Sequence, residues 1–293
     1  MLMKNSNINN TTEELRYDLH SHTNLSDGQL TPKELIDRAI ARDIDVFAIT
    51  DHDSLSGLTI ARNHCNDNGL KLKLLDGIEL SASSDFGDIH IVGLGIDQED
   101  NNLQQLVVKQ KQLRRDRAEQ IDDKLNKAGV SGILEMIKQD GVDLVTRTHF
   151  AKKLIQKGFA KDNTQVFKRF LGRKGKAKVK NYWESMQSCI KTIEGCGGVA
   201  VLAHPTRYPI SNRKLSYLIE EFKLEGGSGI EVSYPSLNPD EAGWLEVHRA
   251  KNDLLASAGS DFHFPDLKWS DLGKFRPVKK NIPHVLDRLL LES

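Results

Sequence analysis

Imidazole and carboxylate side chains recur in this 293-residue sequence in short clusters that have the spacing of metal ligands. His20 and His22 are two residues apart, and Asp261 and His263 repeat this spacing near the other end of the sequence. In an extended strand, residues two apart point to the same face, so each pair can approach an ion from one side. Nine candidates exceed what one ion needs, and they predict a site for two or three divalent cations. Manganese, iron or zinc suits these nitrogen and oxygen donors. The five candidates that occur singly are Asp27, His52, Glu79, His90 and His204.

Cations held close together acidify a bound water molecule and neutralise a phosphoryl group at the same time. The sequence therefore indicates that water itself hydrolyses a phosphate ester, and no Ser/His/Asp or Cys/His arrangement offers a competing nucleophile. Asp53, which directly follows His52, has two interpretations. It orients the water or a leaving hydroxyl, or it caps a helix that begins near Ser54. The isolated histidines at 64, 248 and 284 are predicted to be ordinary hydrogen-bonded residues.

The elements around these residues alternate between strand and helix patterns. YDLHSH, DVFAIT, LKLLDGIEL and DIHIVGLGI are typical of strands, and Thr31-Pro32-Lys33-Glu34 has the N-cap, proline and glutamate that start a helix. Such alternation predicts a parallel sheet with helices outside it. Most of the candidate ligands follow the carboxyl end of a strand, where barrel enzymes build their active sites. His90 opens its strand and fits this rule less well.

A basic helical region interrupts this alternation. Residues 101–180 contain 20 Lys and Arg against 8 Asp and Glu, although the whole chain has a net charge of zero. We predict a barrel domain over 16–97 and 196–293, a mostly helical insertion domain over 98–195, and a disordered N-terminus over 1–15. Within the insertion, Lys168–Lys180 has seven basic residues and no acidic one. We expect this basic segment to form a mobile loop that offers a positive track for phosphates.

The composition is that of an ordinary globular protein. Hydrophobic residues make up 38% and charged residues 28%, which excludes disordered and membrane proteins. The first residues have no apolar core or cleavage signature, so export is not expected. The three cysteines do not have the spacing of a metal site, and their odd number argues against a disulfide framework. We expect a cytoplasmic protein, with no membrane association and no protein partner.

The ordered motifs together resemble the PHP (polymerase and histidinol phosphatase) superfamily. They are His-Ser-His followed by Ser-Asp-Gly, Thr-Asp-His-Asp, Gly-x-Glu, Ala-His-Pro and Ser-Asp-x-His. The resemblance implies an α/β fold, a distorted (β/α)7 barrel, with a centre of three divalent ions, Mn²⁺ first and Zn²⁺ or Fe²⁺ as alternatives. It implies that the nine residues above are the ligands, that Glu79 bridges metals and acts in catalysis with His52, and that His90 and His204 serve the third metal.

The insertion resembles one branch of that superfamily more closely. Val145-Thr146-Arg147-Thr148-His149-Phe150-Ala151 is similar to the Thr-Arg-Gly-His-Phe-Ala segment of the bacterial 3′,5′-nucleotide bisphosphate phosphatases, also described as RNase AM, a 5′→3′ exoribonuclease. The arginines at 114, 115 and 117 and the later Ala-His-Pro-x-Arg-Tyr are similar too, while Thr148 and Thr206 replace common glycines. The resemblance implies that nucleoside 3′,5′-bisphosphates and short 5′-phosphorylated RNA are the substrates. Arg147, His149 and Arg207 are the predicted phosphate binders, and His149 has metal ligation as its alternative.

Three other functions compete with this hypothesis. A histidinol-phosphate-type phosphatase of the same superfamily would not need a basic insertion. A non-catalytic metal-bound module that binds nucleic acid would tolerate missing ligands. An amidohydrolase barrel usually has a carbamylated lysine or a His-x-Glu pattern, and neither is suitably placed. Tyr182, Trp183 and Tyr208 either stack on a base or belong to the core.

Overall fold

Seven strands form one sheet that curves into a nearly closed barrel. The fold is taken from a computed structural model that describes residues 15–180, 182–266, 270–279 and 281–291. The predicted disordered N-terminus lies outside the described residues except for Leu15. The strands follow the order of the sequence across the sheet. They are β1 (Tyr17–Asp18), β2 (Val46–Ile49), β3 (Lys73–Ser84), β4 (Gly87–Leu94), β5 (Val199–Leu202), β6 (Gly229–Ser233) and β7 (Leu255–Ala258).

The prediction of a parallel sheet is wrong at one strand. β4 pairs antiparallel with both β3 and β5, while the other neighbouring strands are parallel. Only Asp85 and Phe86 connect β3 to β4, and so short a connection can form only a hairpin, because a parallel crossover needs a dozen or more residues. This reversal explains His90. The start of an antiparallel strand lies at the same end of the barrel as the carboxyl ends of its parallel neighbours.

The two ends of the sheet meet and close the barrel. The Leu19 amide donates to the Ala258 carbonyl (3.3 Å), and Ser21 forms a parallel bridge with Phe262. Gly259 allows this closure, because a Cβ atom there would lie 2.4 Å from the Cβ of His20. β1 is shorter than the predicted strand YDLHSH. The last residues of that predicted segment, which include His20 and His22, lie beyond the β1–β2 pairing, in the mouth of the barrel.

Helices surround the sheet and fill the middle of the chain. Thr31 caps the first helix in a capping box with Glu34, with Pro32 at its start, as the sequence predicted.

No helix of the described residues is both long and apolar enough to cross a lipid bilayer. The helices are α1 (Pro32–Ala41), α2 (Ser56–Asp67), α3 (Asn101–Lys127), α4 (Ile133–Gln139), α5 (Arg147–Gln156), α6 (Asn163–Val166), α7 (Met186–Gly195), α8 (Asn212–Leu224), α9 (Pro239–Lys251) and α10 (Val285–Leu291).

The region predicted as an insertion divides between two hydrophobic cores. Leu103 and Leu106 of α3, together with Ile190 of α7, pack into the core between the barrel and its helices. A second core, built from buried residues between Ala118 and Ala177, joins the rest of α3 to α4, α5 and α6. The basic segment 168–180 is anchored in this second core. It begins in the π-helical turn Phe167–Leu171, and its Phe170, Leu171 and Ala177 are buried.

Candidate active site

Glu79 lies at the centre of a cluster of histidines in the barrel mouth. The side chain is fully buried on β3. Nitrogen atoms of five imidazoles surround its two carboxylate oxygens, so one carboxylate is shared by ligand candidates from four separate parts of the chain. The shortest nitrogen-to-oxygen distances are 2.9 Å for His52 and His90, 3.0 Å for His204, 3.3 Å for His22 and 3.4 Å for His20.

Two further carboxylates complete the cluster. Asp261 lies 3.2 Å from His22 Nε2 and 3.5 Å from His20 Nε2. Asp27 lies 3.2 Å from His263 Nε2 and 3.8 Å from His52 Nε2. The structure thus brings all nine predicted ligands into one connected cluster, called the ligand cage below.

The ligand cage fits divalent cations by its geometry. In three groups, the donor atoms all lie within 4.8 Å of one another. Ligands about 2.1 Å from a metal ion are about 3.0–3.4 Å apart in octahedral or tetrahedral geometry, which matches most of the distances above. The Nε2 atoms of His20 and His22 lie 3.1 Å apart, a distance that suits two nitrogen ligands of one ion as well as a hydrogen bond between the rings. The groups are His22, Asp27, His52 and His263; His20, His22 and Glu79; and His52, Glu79 and His90.

The unsatisfied polar atoms of the cage also fit a bound cation. Asp27 Oδ1 and Glu79 Oε2 are buried and form no well-aligned hydrogen bond with the described residues, although imidazole nitrogens are nearby. Burial alone would raise the pKa of Glu79, but His52, His90 and His20 hold this pKa well below its usual range. For His22 burial acts in the opposite direction and lowers the pKa. The hydrogen bonds and charges of Asp261 and Glu79 outweigh this effect of burial and raise the pKa of His22 to about 10. The carboxylates are therefore anionic and attract positive charge, whether protons or metal ions.

Unusual backbone conformations aim three of the cage residues into the mouth. His204 and Asp261 follow β5 and β7 with positive φ angles of 30° and 49°, so the chain turns sharply where each strand ends. Gly28 permits the tight loop that carries Asp27, because a Cβ atom there would lie 2.2 Å from the His22 carbonyl oxygen. Such strained positions are typical of functional sites.

A carboxylate that is not among the predicted site residues supports the cage. Glu231 of β6 is 1% exposed, accepts a hydrogen bond from His20 Nδ1 (2.7 Å) and another from the His204 backbone amide (2.5 Å). These contacts orient His20 with Nε2 facing the cage. The sequence does indicate a buried functional carboxylate here, because Glu231 is a charged residue in the middle of the apolar strand GIEVS.

We expect Glu231→Gln to weaken Mn²⁺ binding about 10- to 100-fold, because partners of metal-bound histidines set ring orientation and basicity. Titration of metal-free protein with Mn²⁺ in a calorimeter measures this directly. Glu220→Gln is the matched control, since Glu220 pairs with Lys251 on the surface. Unchanged Mn²⁺ affinity in the Glu231 variant would contradict the role.

Three arginines face the cage across a cavity of about 230 Å³. Arg114 and Arg117 come from α3, and Arg147 comes from the first turn of α5. The Nε atom of Arg117 is buried and has no hydrogen-bond partner among the described residues. Burial lowers the pKa of Arg117 to about 9, with Arg147 and Arg114 contributing by repulsion. Arg117 still carries its charge at neutral pH, so the three arginines, called the arginine clamp below, form a site that an anion would stabilise.

Asp53 contacts the arginine clamp and not the end of a helix. It does not cap α2, whose N-cap is Leu55. Its carboxylate is buried and accepts hydrogen bonds from Arg114 Nε (2.6 Å) and the Ser81 amide (2.9 Å), and it does not line the cavity. The backbone at Asp53 has a positive φ of 46°. The residue therefore positions an arginine of the clamp.

The three predicted phosphate binders occupy different environments. Arg147 lines the cavity. His149 caps α5, with Nδ1 accepting from the Thr146 amide (3.1 Å), and it is in none of the metal-binding groups of the described residues. Arg207 forms an ion pair with Asp261 at the outer side of the cage and does not line the cavity.

The two threonines that replace family glycines fit their backbones. Neither Thr148 nor Thr206 has a positive φ. The Thr148 amide donates to Thr146, and Thr206 hydrogen-bonds to the Tyr234 hydroxyl. Neither replacement distorts the site.

The aromatic residues divide between the cavity, the surface and the support of the cage. Trp183 is 8% exposed and lines the cavity beneath Arg114 and Arg117. Phe167, which the sequence analysis did not single out, lines the cavity near Arg147. Tyr182 is 65% exposed. The Tyr208 hydroxyl donates to the Ala203 carbonyl and accepts from the His90 amide, so Tyr208 supports two strands of the cage.

Comparisons with known proteins give one consistent result. The PHP domain model matches residues 18–198. The 5′-3′ exoribonuclease of Haemophilus influenzae is 39% identical over 259 residues, covering 88% of this chain and 93% of that protein. The 3′,5′-nucleoside bisphosphate phosphatase of Chromobacterium violaceum is 38% identical over 258 residues, covering 87% and 90%. A solved structure from C. violaceum, described as an amidohydrolase with bound sulfate and no metal, superposes with a TM-score of 0.87 at 36% identity, covering 94% and 96%.

Proposed function

The chain belongs to the PHP domain family, and from this premise we propose that it is a phosphoesterase that removes the 3′-phosphate of nucleoside 3′,5′-bisphosphates and trims 5′-phosphorylated RNA from its 5′ end. The observation that carries this proposal is the arginine clamp opposite the ligand cage. Two separate sites for phosphate, one at the cage and one at the clamp, suit a substrate with two phosphates.

Both activities require the same bond to break. Water forms a bond to the phosphorus at the 3′ position, the bond from phosphorus to O3′ breaks, and O3′ takes up a proton. A bisphosphate then yields a nucleoside 5′-phosphate and inorganic phosphate. RNA yields a nucleoside 5′-phosphate and a shortened chain that again carries a 5′-phosphate. Recognition of the 5′-phosphate by the clamp thus serves every round of trimming.

The residues of the cage and the clamp have distinct roles in this proposal. The nine cage residues would hold divalent ions, which when bound acidify water and neutralise the phosphoryl oxygens. Three ions, with Mn²⁺ first and Zn²⁺ or Fe²⁺ as alternatives, suit the donor set. Arg117 and Arg147 bind the 5′-phosphate through their rigid guanidinium groups. Asp53 positions Arg114, and Trp183 and Phe167 contact the ribose or base.

The competing functions account for less of the site. A small-substrate phosphatase such as a histidinol-phosphate phosphatase has no use for a second anion site. Among the described residues no lysine lines the cavity, which disfavours an amidohydrolase with a carbamylated lysine. Buried, unpaired cysteines suit a reducing compartment, so we propose that the protein trims RNA and clears nucleoside bisphosphates in the cytoplasm.

The decisive test is an assay of purified protein with Mn²⁺. We expect phosphate release from adenosine 3′,5′-bisphosphate and nucleotide-by-nucleotide shortening of a 5′-phosphorylated RNA. Adding EDTA should abolish both. Histidinol phosphate is the control substrate, and faster hydrolysis of it than of the bisphosphate would overturn the proposal.

A further inference from the structure

We propose that a second, larger groove next to the active-site cavity binds the nucleotides that lie 3′ of the scissile phosphate in an RNA substrate. This inference rests on the proposed function and extends it to a separate binding surface. The groove has a volume of about 680 Å³ and lies between the β3–β4 hairpin, the end of the basic segment and the start of α8.

The charge of the groove suits a chain of phosphates. Its walls carry Arg173, Lys178, Lys180 and Lys214 against one acidic residue, Asp88. The three lysines are exposed, and among the described residues none of them has a carboxylate within ion-pair distance. Positive side chains held along a groove without acidic partners favour a polyanion.

The groove adjoins the active-site cavity. Asp88 lines both the groove and the cavity of the ligand cage. It precedes the cage residue His90 by two positions on β4, so both side chains point to the same face of the strand, about 7 Å apart along it. A strand of RNA that leaves the cage therefore has a basic path directly ahead of it.

Part of the groove surface is apolar and can receive bases. Phe86 and Ile210 are half-buried, pack against the barrel core with one side and line the groove with the other. Bases stack on such aromatic and apolar surfaces without much preference for sequence. Lysines for phosphates beside an aromatic ring for bases are the combination that single-stranded nucleic acid requires.

A charge-matched pair of variants tests the groove. The first variant is Lys178→Ala/Lys180→Ala/Lys214→Ala. The control is Lys168→Ala/Lys174→Ala/Lys176→Ala, which removes the same charge from exposed positions of the basic segment that do not line the groove. Each is assayed on adenosine 3′,5′-bisphosphate and on a 5′-phosphorylated RNA of eight nucleotides. Binding of the same RNA with a 3′ fluorescent label is measured by anisotropy in EDTA.

We expect the groove variant to bind and trim RNA at least about tenfold less well at physiological salt, with bisphosphate hydrolysis retained. We also expect the slope of log affinity against log salt concentration to be shallower than that of the wild type by about 2. Each of the three lost phosphate contacts reduces the slope by about 0.7. The control variant should lose much less. Equal RNA losses in both variants, equal losses on both substrates, or no RNA loss would each overturn the groove.

The failure of the groove and the failure of the proposed function give different results. If the wild type does not hydrolyse the bisphosphate, the proposed function falls, whereas the binding measurement in EDTA still judges the groove. If the bisphosphate is hydrolysed normally and the groove variant binds RNA like the wild type, only the groove falls. If a single DNA strand bound as tightly as RNA and lost as much affinity in the groove variant, the groove would be a site for single-stranded nucleic acid in general.

Discussion

Glu79→Gln should abolish phosphoester hydrolysis while the barrel remains folded. The substitution keeps the size of the side chain but removes the charge that five histidines share. We expect kcat/KM for adenosine 3′,5′-bisphosphate to fall at least about a thousandfold, because the cations contribute several kcal/mol to the stability of the transition state. Steady-state phosphate release measures the loss, and elemental analysis of the purified variant should show fewer bound metal ions.

A second glutamate provides the matched control. Glu194 accepts a hydrogen bond from the Ala200 amide and pairs with Arg288 outside the cage. Glu194→Gln is expected to keep both its metal content and its activity. His20→Ala should be as inactive as the Glu79 variant, with circular dichroism close to that of the wild type. Full activity with either cage variant would refute the metal mechanism.

Arg147→Ala should separate substrates with a 5′-phosphate from those without one. A hydrogen bond to a charged group contributes about 1.5–3 kcal/mol, so we expect kcat/KM for the bisphosphate to fall about 10- to 100-fold. Hydrolysis of adenosine 3′-monophosphate, which has nothing to place in the clamp, should change little. The ratio of the two kcat/KM values is therefore the measurement that reports the clamp.

Helix α3 supplies the control for this experiment. Arg115 lies beside the clamp residues in the sequence, yet its side chain is 57% exposed and pairs with Asp143 on the surface. Arg115→Ala should leave both substrates unaffected, while Arg117→Ala should behave like Arg147→Ala. If Arg147→Ala lowered activity on both substrates equally, the arginine would act at the cage and not on the 5′-phosphate.

The predicted and observed elements agree where the signals are local. The apolar and charged periodicity of the sequence predicts helices over 102–128 and near 239–252, and the structure has α3 at Asn101–Lys127 and α9 at Pro239–Lys251. Caps, prolines and apolar periodicity act within a few residues of one another, so a single sequence carries them. The direction of β4 depends instead on how tightly a two-residue hairpin turns, and regular strand and helix alternation concealed it.

The candidate site shows the same division. The nine cage residues are conspicuous in the sequence because histidines and acids at strand ends are uncommon, and they are neighbours in space. Asp53 and Arg207 have equally suggestive positions in the sequence, but their partners Arg114 and Asp261 lie far away in the chain. Nothing in the local pattern of a charged residue states which opposite charge it will meet.

By itself the sequence determined the donor chemistry of the cage, the strands that carry it and the basic character of the inserted helices. Each of these properties depends on residue type and short-range spacing. Only the tertiary structure decided that Glu231 supports the cage, that Arg114 and Arg117 of α3 face it, and that lysines of the basic segment and α8 share one groove with the β3–β4 hairpin. These contacts join residues far apart in the chain, and the packing of α3 and the second core against the barrel brings them together.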